Sequence, residues 1–408
     1  MVQVNQCHVM AKPSGSVCNI DCEYCFYLEK EQLYPERQAN WRMSDDTLER
    51  FIQQYIEAQS GPTVEFAWQG GEPTLLGLDF YQRVVELCAQ HAQGKQIYHS
   101  FQTNGLLIDD KWCEFFKHHN ILVGISIDGP QHLHDQYRVT RSKKGTHAKV
   151  MQAIELLKKH RIEFNTLTVV SSGNANSPLE VYEFLKSIGS KYIQFIPLVE
   201  RLSTDDNQWR LDLASPNDHS KTVTSWSVSP RAYGDFLVTI FKDWITKDVG
   251  STFVQTFDST LASWLNQPAG ICTFAAECGH SFALESNGDL YQCDHYVYPE
   301  YKLGNIHQTT IEIMNNSPKA VQFSRAKSSS LNSKCNACRF KFACHGGCPK
   351  HRFITTNTGQ HHNYLCEGYF EFFKQSEKAM MIMARLLEHR RPATEIMTLS
   401  EEVDLFTE

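Results

Sequence analysis

In Cys18-Asn19-Ile20-Asp21-Cys22-Glu23-Tyr24-Cys25, three thiols share one short loop and are spaced four and three residues apart. Thiolates at this spacing can face a common centre, and thiolates are the ligands of iron–sulfur clusters. A four-iron cluster held by only three cysteines keeps one iron open to an outside ligand. The alternative is a structural zinc site, which needs a fourth ligand such as Cys7 or His8.

The chain has 408 residues, of which 41% are hydrophobic, and this length suits a catalytic domain plus a smaller one. It has 39 Lys and Arg residues against 46 Asp and Glu residues, and the net charge of -7 argues against a general role on nucleic acid or lipid surfaces. No apolar run approaches ~20 residues, so the sequence predicts no membrane span. Residues 1–6 have neither the basic nor the apolar region of an export signal, so we expect a cytoplasmic protein.

Fourteen cysteines are informative in a cytoplasmic chain, because reducing conditions keep disulfides rare and favour metal or cluster ligation. Cys88 and Cys113 fall in apolar helical patterns and are predicted core residues, and Cys7 also stands alone. The other eleven form two groups, one in the amino-terminal loop and one between 272 and 366.

The first half of the chain alternates between strand patterns and amphipathic helix patterns, and the first of these helices is predicted to be capped by Ser44. This alternation predicts an α/β fold with a parallel sheet and helical crossovers, here a partial (β/α)6 barrel that is similar to an incomplete TIM barrel. The predicted strands are 7–12, 64–68, 97–101, 121–127, 164–170 and 192–198.

Parallel sheets hold their ligands at the carboxyl ends of the strands. Gly70-Gly71-Glu72-Pro73 ends the second predicted strand, Gln102-Thr103-Asn104-Gly105 the third and Ser126-Ile127-Asp128-Gly129-Pro130 the fourth. Each of these polar or glycine-rich segments directly follows an apolar run. We therefore expect them to meet at one rim of the barrel and to surround a ligand.

Eight further cysteines lie in the second half of the chain, enough for two complete ligand sets of four-iron clusters. Asn287-Gly288 predicts a hairpin turn between apolar strands that carry Cys278 and Cys293 at their ends. Two structural zinc sites of four thiolates each are the alternative. Asp294 directly follows Cys293, and it is either a general base beside a redox centre or a turn aspartate that caps backbone amides.

These patterns predict four regions: a partial barrel over 1–235, a helical connection over 236–270, a cysteine-rich domain over 271–370, and a carboxyl-terminal helix with its tail over 371–408. Within them, the polar segment 201–229 is predicted as a long connection, residues 369–388 as a closing helix and the stretch from Glu395 as a short acidic tail.

The C-x3-C-x2-C loop and Gly70-Gly71-Glu72-Pro73 resemble motifs of the radical S-adenosylmethionine (SAM) superfamily. In that superfamily SAM occupies the open iron, and an electron from the cluster splits the sulfonium to release a 5′-deoxyadenosyl radical. The resemblance implies that Arg138 holds the SAM carboxylate, for which its guanidinium fork is suited. The other SAM contacts that the resemblance implies are Tyr24, Gly71, Ser126 and Val199.

The later cysteines resemble the SPASM domain of the same superfamily, which holds two fully ligated [4Fe–4S] clusters. The resemblance assigns Cys348 to the cluster of the earlier cysteines, a crossing that spacing alone does not predict. The implied ligands are Cys272, Cys278, Cys293 and Cys348 for the first auxiliary cluster, and Cys335, Cys338, Cys344 and Cys366 for the second. With the cluster on Cys18, Cys22 and Cys25, the chain would carry three [4Fe–4S] clusters.

Nearly the whole chain resembles the anaerobic sulfatase-maturating enzymes, which oxidise a cysteine or serine in a sulfatase C/S-x-A/P-x-R segment to Cα-formylglycine. The matching features are the segments 18–27, 66–74, 102–105 and 126–130, the layout of the eight later cysteines, and Cys293-Asp294-His295-Tyr296. The resemblance implies that Asp294 deprotonates the substrate side chain and that the first auxiliary cluster accepts an electron. A sulfatase polypeptide and a flavodoxin- or ferredoxin-like electron donor are the implied partners. The residues available to hold the peptide backbone are Gln69, Gln102 and Asn104.

Two other hypotheses use the same cysteines. A different SPASM peptide modifier would form a thioether or a carbon–carbon crosslink. An iron-responsive regulator would use the clusters as sensors and would not cleave SAM. Val199, where bulkier aliphatic residues can occur, and the segment 201–229 are the clearest departures from the family pattern.

Overall fold

A ten-stranded sheet forms the centre of the computed structural model. The structure describes residues 6–35, 40–203, 212–356, 359–402 and 405–406. The strands are β1 His8–Lys12, β2 Thr63–Trp68, β3 Gln96–Thr103, β4 Leu122–Ser126, β5 Phe164–Val170, β6 Tyr192–Pro197, β7 Phe253–Val254, β8 Ser281–Glu285, β9 Asp289–Tyr291, β10 Lys302–Asn305, β11 Ile354–Thr355 and β12 His361–His362. The helices are α1 Asp45–Glu57, α2 Leu78–His91, α3 Asp110–His118, α4 Gln131–His134, α5 His147–Lys159, α6 Pro178–Ser187, α7 Pro230–Lys247, α8 Gln255–Trp264, α9 Ile311–Asn315, α10 Pro318–Ser329, α11 Ser333–Asn336, α12 Lys341–Cys344, α13 Cys366–Glu388 and α14 Ile396–Glu402.

Strands β1 to β7 run parallel and lie side by side in sequence order, which confirms the predicted partial barrel. All six predicted strands are present, and 164–170 has the same bounds as β5. The sequence analysis missed β7, a two-residue strand that pairs only with Tyr192 and Ile193 at the start of β6. No described strand pairs with the rest of β6 on that side, so the barrel stays open along this edge.

The cysteine-rich half of the chain extends the same sheet. β8 pairs in parallel with β1 from His8–Ser281 to Lys12–Glu285, and β9 and β10 follow in antiparallel order. The hairpin predicted at Asn287-Gly288 is present, and Gly288 has a φ of 86°, a conformation that glycine adopts without strain. Because β8 lies beside β1, the residues after the hairpin reach the rim at which β1 ends.

Helices cover the outer face of the barrel because alternate strand residues are apolar on that side. Val64 and Trp68 of β2 are each 2% exposed, and the Phe51 ring of α1 packs edge-on against the Trp68 ring. The predicted cap of α1 is also present, since Ser44 Oγ accepts a hydrogen bond from Thr47 N–H at 3.2 Å.

Helices α7 and α13 connect the barrel to the cysteine-rich region. A Cβ on Gly368 of α13 would lie 2.1 Å from the carbonyl oxygen of Pro230 in α7, so this close crossing requires glycine. The domain limits predicted at 235 and 370 fall inside these two helices. The predicted acidic tail includes α14.

The polar connection predicted over 201–229 is partly described. Its residues 204–211 lie outside the described residues. The described part is held by Arg201, whose guanidinium donates hydrogen bonds to the backbone oxygens of Ser215, Asp218 and Ser220. Over the described ranges, no helix combines the length and the apolar composition needed to cross a membrane.

Candidate active site

A cavity of about 280 Å³ opens at the carboxyl ends of the barrel strands. Parallel strands end at the same edge of a sheet, so residues far apart in sequence meet there. The predicted site residues that line this cavity are Cys18, Cys22, Tyr24, Cys25, Gln69, Gly71, Gln102, Asn104, Ser126, Arg138, Val199, Asp294 and Cys348. The cavity thus combines the amino-terminal cysteines, the predicted SAM and peptide contacts, and the candidate base.

Backbone contacts hold the cysteine loop against the end of β2. Gly71 N–H donates to the Gly15 carbonyl at 2.8 Å, and Glu72 N–H donates to the Val17 carbonyl at 2.9 Å. A Cβ on Gly71 would lie 2.2 Å from the Val17 oxygen, so a side chain at this position would displace the loop. The packing of the loop therefore requires glycine at 71, independently of any bound cofactor.

The three thiols of the loop share one wall of the cavity. Burial raises the pKa of Cys18 to about 12, and the charges of Glu72 and Cys25 add to this rise. Burial also raises the pKa of Cys22 and of Cys25. Such thiols ionise when iron coordinates them, because the metal supplies the positive charge that solvent does not. Three sulfurs on one wall, with open space in front, fit a four-iron cluster with one free iron.

Glu72 is a site residue that the sequence analysis did not assign. Its fully buried carboxylate accepts hydrogen bonds from Thr74 N–H at 3.0 Å, Thr103 Oγ1 at 2.7 Å and Asn104 N–H at 2.8 Å. These bonds join the end of β2 to the end of β3 beside the cysteine loop. Its position in Gly70-Gly71-Glu72-Pro73, at a buried strand end, could have identified Glu72 from the sequence. A carboxylate buried between two strand ends needs several hydrogen-bond donors around it.

Arg138 is held by Asp128, a second residue that the sequence analysis left without a role. Arg138 Nε donates to Asp128 Oδ2 at 2.8 Å, the Tyr24 hydroxyl donates to the same oxygen at 2.5 Å, and Val169 N–H donates to Oδ1 at 2.9 Å. Burial would lower the pKa of Arg138, but the Asp128 charge and hydrogen bond, together with the charges of Tyr24 and Cys22, outweigh burial and raise the pKa above its ordinary value. The guanidinium makes no other hydrogen bond among the described residues, so its remaining N–H groups can bind an anion in the cavity.

Asp294 forms an ion pair with Lys12, a third residue that the sequence analysis missed. Lys12 is 2% exposed, and its ammonium lies 3.6 Å from the centre of the Tyr27 ring. Burial would raise the pKa of Asp294, but the charge and hydrogen bond of Lys12, together with the charges of His295 and Lys30, outweigh burial and lower the pKa to about 2. Asp294 is therefore ionised at neutral pH. Lys12 could have been identified as the polar residue that ends β1 at the ligand-binding edge.

Further charged side chains surround this pair. Lys30 Nζ donates to the backbone oxygens of Asp294 at 3.4 Å and His295 at 3.3 Å. Burial lowers the pKa of Lys30 to about 7, while the Asp294 charge acts in the opposite direction. Lys350 pairs with Glu200 on the same wall. The cavity is thus polar and charged on the side of Asp294.

The three predicted peptide contacts differ in how freely their side chains can bind a ligand. Gln69 makes no side-chain hydrogen bond within the described part of the chain. Gln102 Nε2 donates to Ser126 Oγ at 2.9 Å. Asn104 Nδ2 donates to Asn19 Oδ1 at 2.7 Å, and Asn104 Oδ1 accepts from Leu106 N–H at 3.0 Å. Asn104 is thus engaged in supporting the cysteine loop, whereas Gln69 is free.

The eight later cysteines form two spatial groups. Their mutual electrostatic interactions place Cys272, Cys278, Cys293 and Cys348 in one group, and Cys335, Cys338, Cys344 and Cys366 in the other. All fourteen cysteines are free of disulfides. In the ranges that the structure describes, no three His, Cys, Asp or Glu side chains converge on a single metal ion.

The chain is similar to known proteins over nearly its whole length. The model of the radical SAM superfamily matches residues 13–185, and that of the SPASM iron–sulfur cluster-binding domain matches residues 276–339. A serine-type anaerobic sulfatase-maturating enzyme of Bacteroides thetaiotaomicron is 47% identical over 96% of this chain and 94% of its own length. A cysteine-type enzyme of Clostridium perfringens is 33% identical over 90% of this chain and 95% of its own length.

A solved structure described as native anSMEcpe with bound AdoMet and Cp18Cys peptide has the same fold, with a TM-score of 0.81 and 31% identity over 93% of this chain and 99% of that chain. The similarity spans both the barrel and the cysteine-rich half. The matching families carry iron–sulfur clusters, which favours clusters over the structural zinc sites that the sequence left open. This chain belongs to the anaerobic sulfatase-maturating enzymes, which are radical SAM enzymes with iron–sulfur clusters.

Proposed function

We propose that this enzyme oxidises a cysteine or serine side chain of a sulfatase polypeptide to Cα-formylglycine at the expense of SAM. The observation that carries the proposal is that one cavity holds both the three-cysteine loop with Arg138 and the ionised Asp294. The first set of groups suits SAM binding, and the carboxylate suits removal of a proton from a substrate side chain. The proposal therefore assigns SAM binding and deprotonation of the substrate to two sets of groups that line one cavity.

When bound, SAM and the clusters would supply the radical that removes a hydrogen atom from the substrate carbon and the acceptor for the electron that remains. Loss of the hydrogen atom, the proton and the electron converts a serine to the aldehyde directly, whereas a cysteine gives a thioaldehyde that water converts to the aldehyde with release of hydrogen sulfide. The protein holds the SAM carboxylate with the N–H groups of Arg138 that do not bind Asp128. The Tyr24 ring lies 5.6 Å from the guanidinium and limits the movement of the Arg138 side chain. Ser126 and Val199 line the cavity next to this pair. Gly71 keeps the cysteine loop packed against β2.

Asp294 accepts the proton of the substrate thiol or hydroxyl. Its carboxylate is oriented by Lys12, and its neighbour Cys293 belongs to the first auxiliary group of thiols. The low pKa of the free carboxylate means that the proton is held only transiently and passes on from the site. Lys12 and Lys30 compensate the negative charge until the substrate proton arrives.

The substrate peptide is held by neutral side chains in this proposal. Gln69 contacts the peptide backbone directly because its amide has no partner in the described chain. Gln102 contributes through its side-chain oxygen, which does not bind Ser126, and Asn104 acts mainly by supporting the cysteine loop.

We also propose that the regions 1–235, 236–270, 271–370 and 371–408 are functional units. The proposed electron donor is a flavodoxin- or ferredoxin-like protein, and the proposed location is the cytoplasm.

The proposal is tested with anaerobically reconstituted enzyme, dithionite, SAM and two synthetic sulfatase-motif peptides that carry cysteine or serine at the target position. We expect formylglycine, detected by mass spectrometry, in at least one peptide and an equal amount of 5′-deoxyadenosine. A peptide with alanine at the target position is the control. Formation of 5′-deoxyadenosine with a crosslinked peptide and no aldehyde would instead identify a different peptide modifier, and absence of 5′-deoxyadenosine would exclude a radical SAM reaction.

A further inference from the structure

A second cavity of about 430 Å³ lies at the amino ends of β5 and β6. We call it the lower cavity, and the active-site cavity at the other ends of these strands the upper cavity. The lower cavity is bounded by α8 and by the loop 268–271 that leads to Cys272. Thr273, two residues after this loop, lines the upper cavity.

Strand β6 contributes residues to both cavities. Tyr192 is 42% exposed and Ile196, four residues later on the same face, is 40% exposed, whereas Ile193 and Phe195 on the outer face are 1% and 4% exposed. Gln194 lines the lower cavity and Ile196 the upper one. Two strand residues span about 7 Å, so the nearest lining residues of the two cavities on β6 are separated by about that distance.

Asp258 of α8 lines the lower cavity and has no partner there. Its carboxylate makes no hydrogen bond or ion pair within the described part of the chain, and no Lys, Arg or His is among the residues that line this cavity. Burial raises the pKa of Asp258 to about 6, and no nearby charge contributes to the shift. A half-buried carboxylate without a cation is unfavourable in the free protein, and a ligand that supplies the cation relieves this cost.

The remaining polar groups of the lower cavity are neutral amides. Asn165, Gln194 and Gln255 line it, and none of their side chains forms a hydrogen bond with another described residue. Amide side chains both donate and accept, so they match the alternating N–H and C=O groups of a peptide backbone. Apolar walls with a few such groups are typical of a binding site.

We infer that the lower cavity is a subsite for the polypeptide segment next to the oxidised residue, and that Asp258 binds a cationic side chain, arginine or lysine, of that segment. The inference rests on the proposed function, since it requires a polypeptide substrate. Asp258 acts on binding and does not contact the reacting atoms. It therefore selects among substrates and leaves the chemical step unchanged.

The test uses reconstituted full-length enzyme and a fluorescent sulfatase-motif peptide, together with copies in which each Arg or Lys is replaced in turn by Gln. We expect one replacement to weaken binding to the wild-type enzyme by about tenfold, as for loss of one partner of a partly desolvated charge pair. Asp258→Asn should weaken binding of the original peptide by a similar factor. In this variant, the peptide replacement that weakens binding to the wild type should cause no further loss of affinity. The variant should raise KM with kcat and 5′-deoxyadenosine formation unchanged.

Asp235→Asn is the matched control, because Asp235 lies on the exposed side of α7. It should bind every peptide as the wild type does. Asp258→Lys should bind best to a peptide with Glu at the sensitive position. The inference is overturned if Asp258→Asn binds the original peptide as the wild type does, or if the losses caused by the variant and by the peptide replacement simply add. In either case, oxidation of a peptide by the wild type would still support the proposed function. Failure of the wild type to oxidise any of the peptides overturns both.

Discussion

The Lys12 ammonium and the Asp294 carboxylate form an ion pair between residues 282 positions apart in sequence. Lys12 ends β1, and Asp294 follows the β8–β9 hairpin that pairs with β1. The parallel pairing of β1 with β8 thus brings the candidate base to the barrel rim. Fold and candidate chemistry are linked at this contact.

Lys12→Met should destabilise the protein, because it leaves the Asp294 charge without its partner. Removal of one member of a buried pair costs about 3 kcal/mol in the free energy of unfolding. The double variant Lys12→Met, Asp294→Asn should recover a large part of this loss, as measured by anaerobic urea denaturation. Lys158→Met breaks an exposed pair with Glu155 and serves as control, with an expected change below about 1 kcal/mol. Equal losses in the single and double Lys12 variants would contradict the prediction.

Asp294→Asn should separate radical formation from substrate oxidation. The amide cannot accept the substrate proton, so formylglycine production should fall by about a hundredfold or more. SAM cleavage should be retained, because the proposed function assigns SAM binding to Arg138 and the cysteine loop and not to Asp294. Both products are quantified by chromatography in one reaction. An equal loss of 5′-deoxyadenosine and formylglycine would show that Asp294 is structural.

Glu72→Gln should loosen the junction of β2, β3 and the cysteine loop. The amide replaces one acceptor oxygen with a donor that faces the Thr103 hydroxyl or Asn104 N–H, which also donate. A buried group left unsatisfied costs about 2 kcal/mol in the free energy of unfolding. Glu65→Gln, at an exposed position of the same strand, should change stability little. Identical denaturation curves for the two variants would refute this role of Glu72.

His99 should make the protein less stable on acidification. Its Nδ1 accepts a hydrogen bond from Trp68 Nε1–H at 3.2 Å, and burial lowers its pKa from 6.5 to about 4, with a smaller contribution from His119. Below pH 6.5 the unfolded chain binds a proton that folded His99 does not, so the stability present above pH 6.5 is lost as the pH falls towards 4. At pH 5 this loss is about 2 kcal/mol.

His99→Gln keeps a hydrogen-bond acceptor but cannot titrate in this range. Between pH 7 and pH 5 it should therefore lose about 2 kcal/mol less stability than the wild type. Urea denaturation at the two pH values measures the difference, in which the contributions of all other histidines cancel. Parallel pH dependences of the two proteins would show that His99 is not the titrating group.

Iron analysis of anaerobically purified enzyme should give about twelve irons per chain, the content of three four-iron clusters. Cys348→Ser should lower this to about eight while 5′-deoxyadenosine formation continues, because Cys348 belongs to the first auxiliary group. Cys22→Ser should abolish 5′-deoxyadenosine formation. Cys88→Ala, which alters a buried cysteine outside all three groups, should retain the full iron content. Zinc in place of iron in the wild type would contradict the cluster assignment.

Local patterns were sufficient to predict the barrel. β5 and the Ser44 cap follow from alternation and capping chemistry over a few residues, and both are present. β7 could not be predicted, because two residues carry no period and their pairing depends on where α7 delivers the chain. The pairing of β1 with β8 is equally invisible in sequence, since no local pattern specifies a partner more than 270 residues away.

The sequence by itself determined the chemistry that this protein can perform, because thiol spacing and strand-end polar motifs are local and are not altered by distant packing. Only the tertiary structure decided which charged groups pair with each other: Lys12 with Asp294, and Asp128 with Arg138. The physical reason is the distance over which each kind of interaction acts. Ligand spacing and strand period act over a few bonds, whereas ion pairing, burial and pKa shifts depend on distances that exist only after the chain has folded.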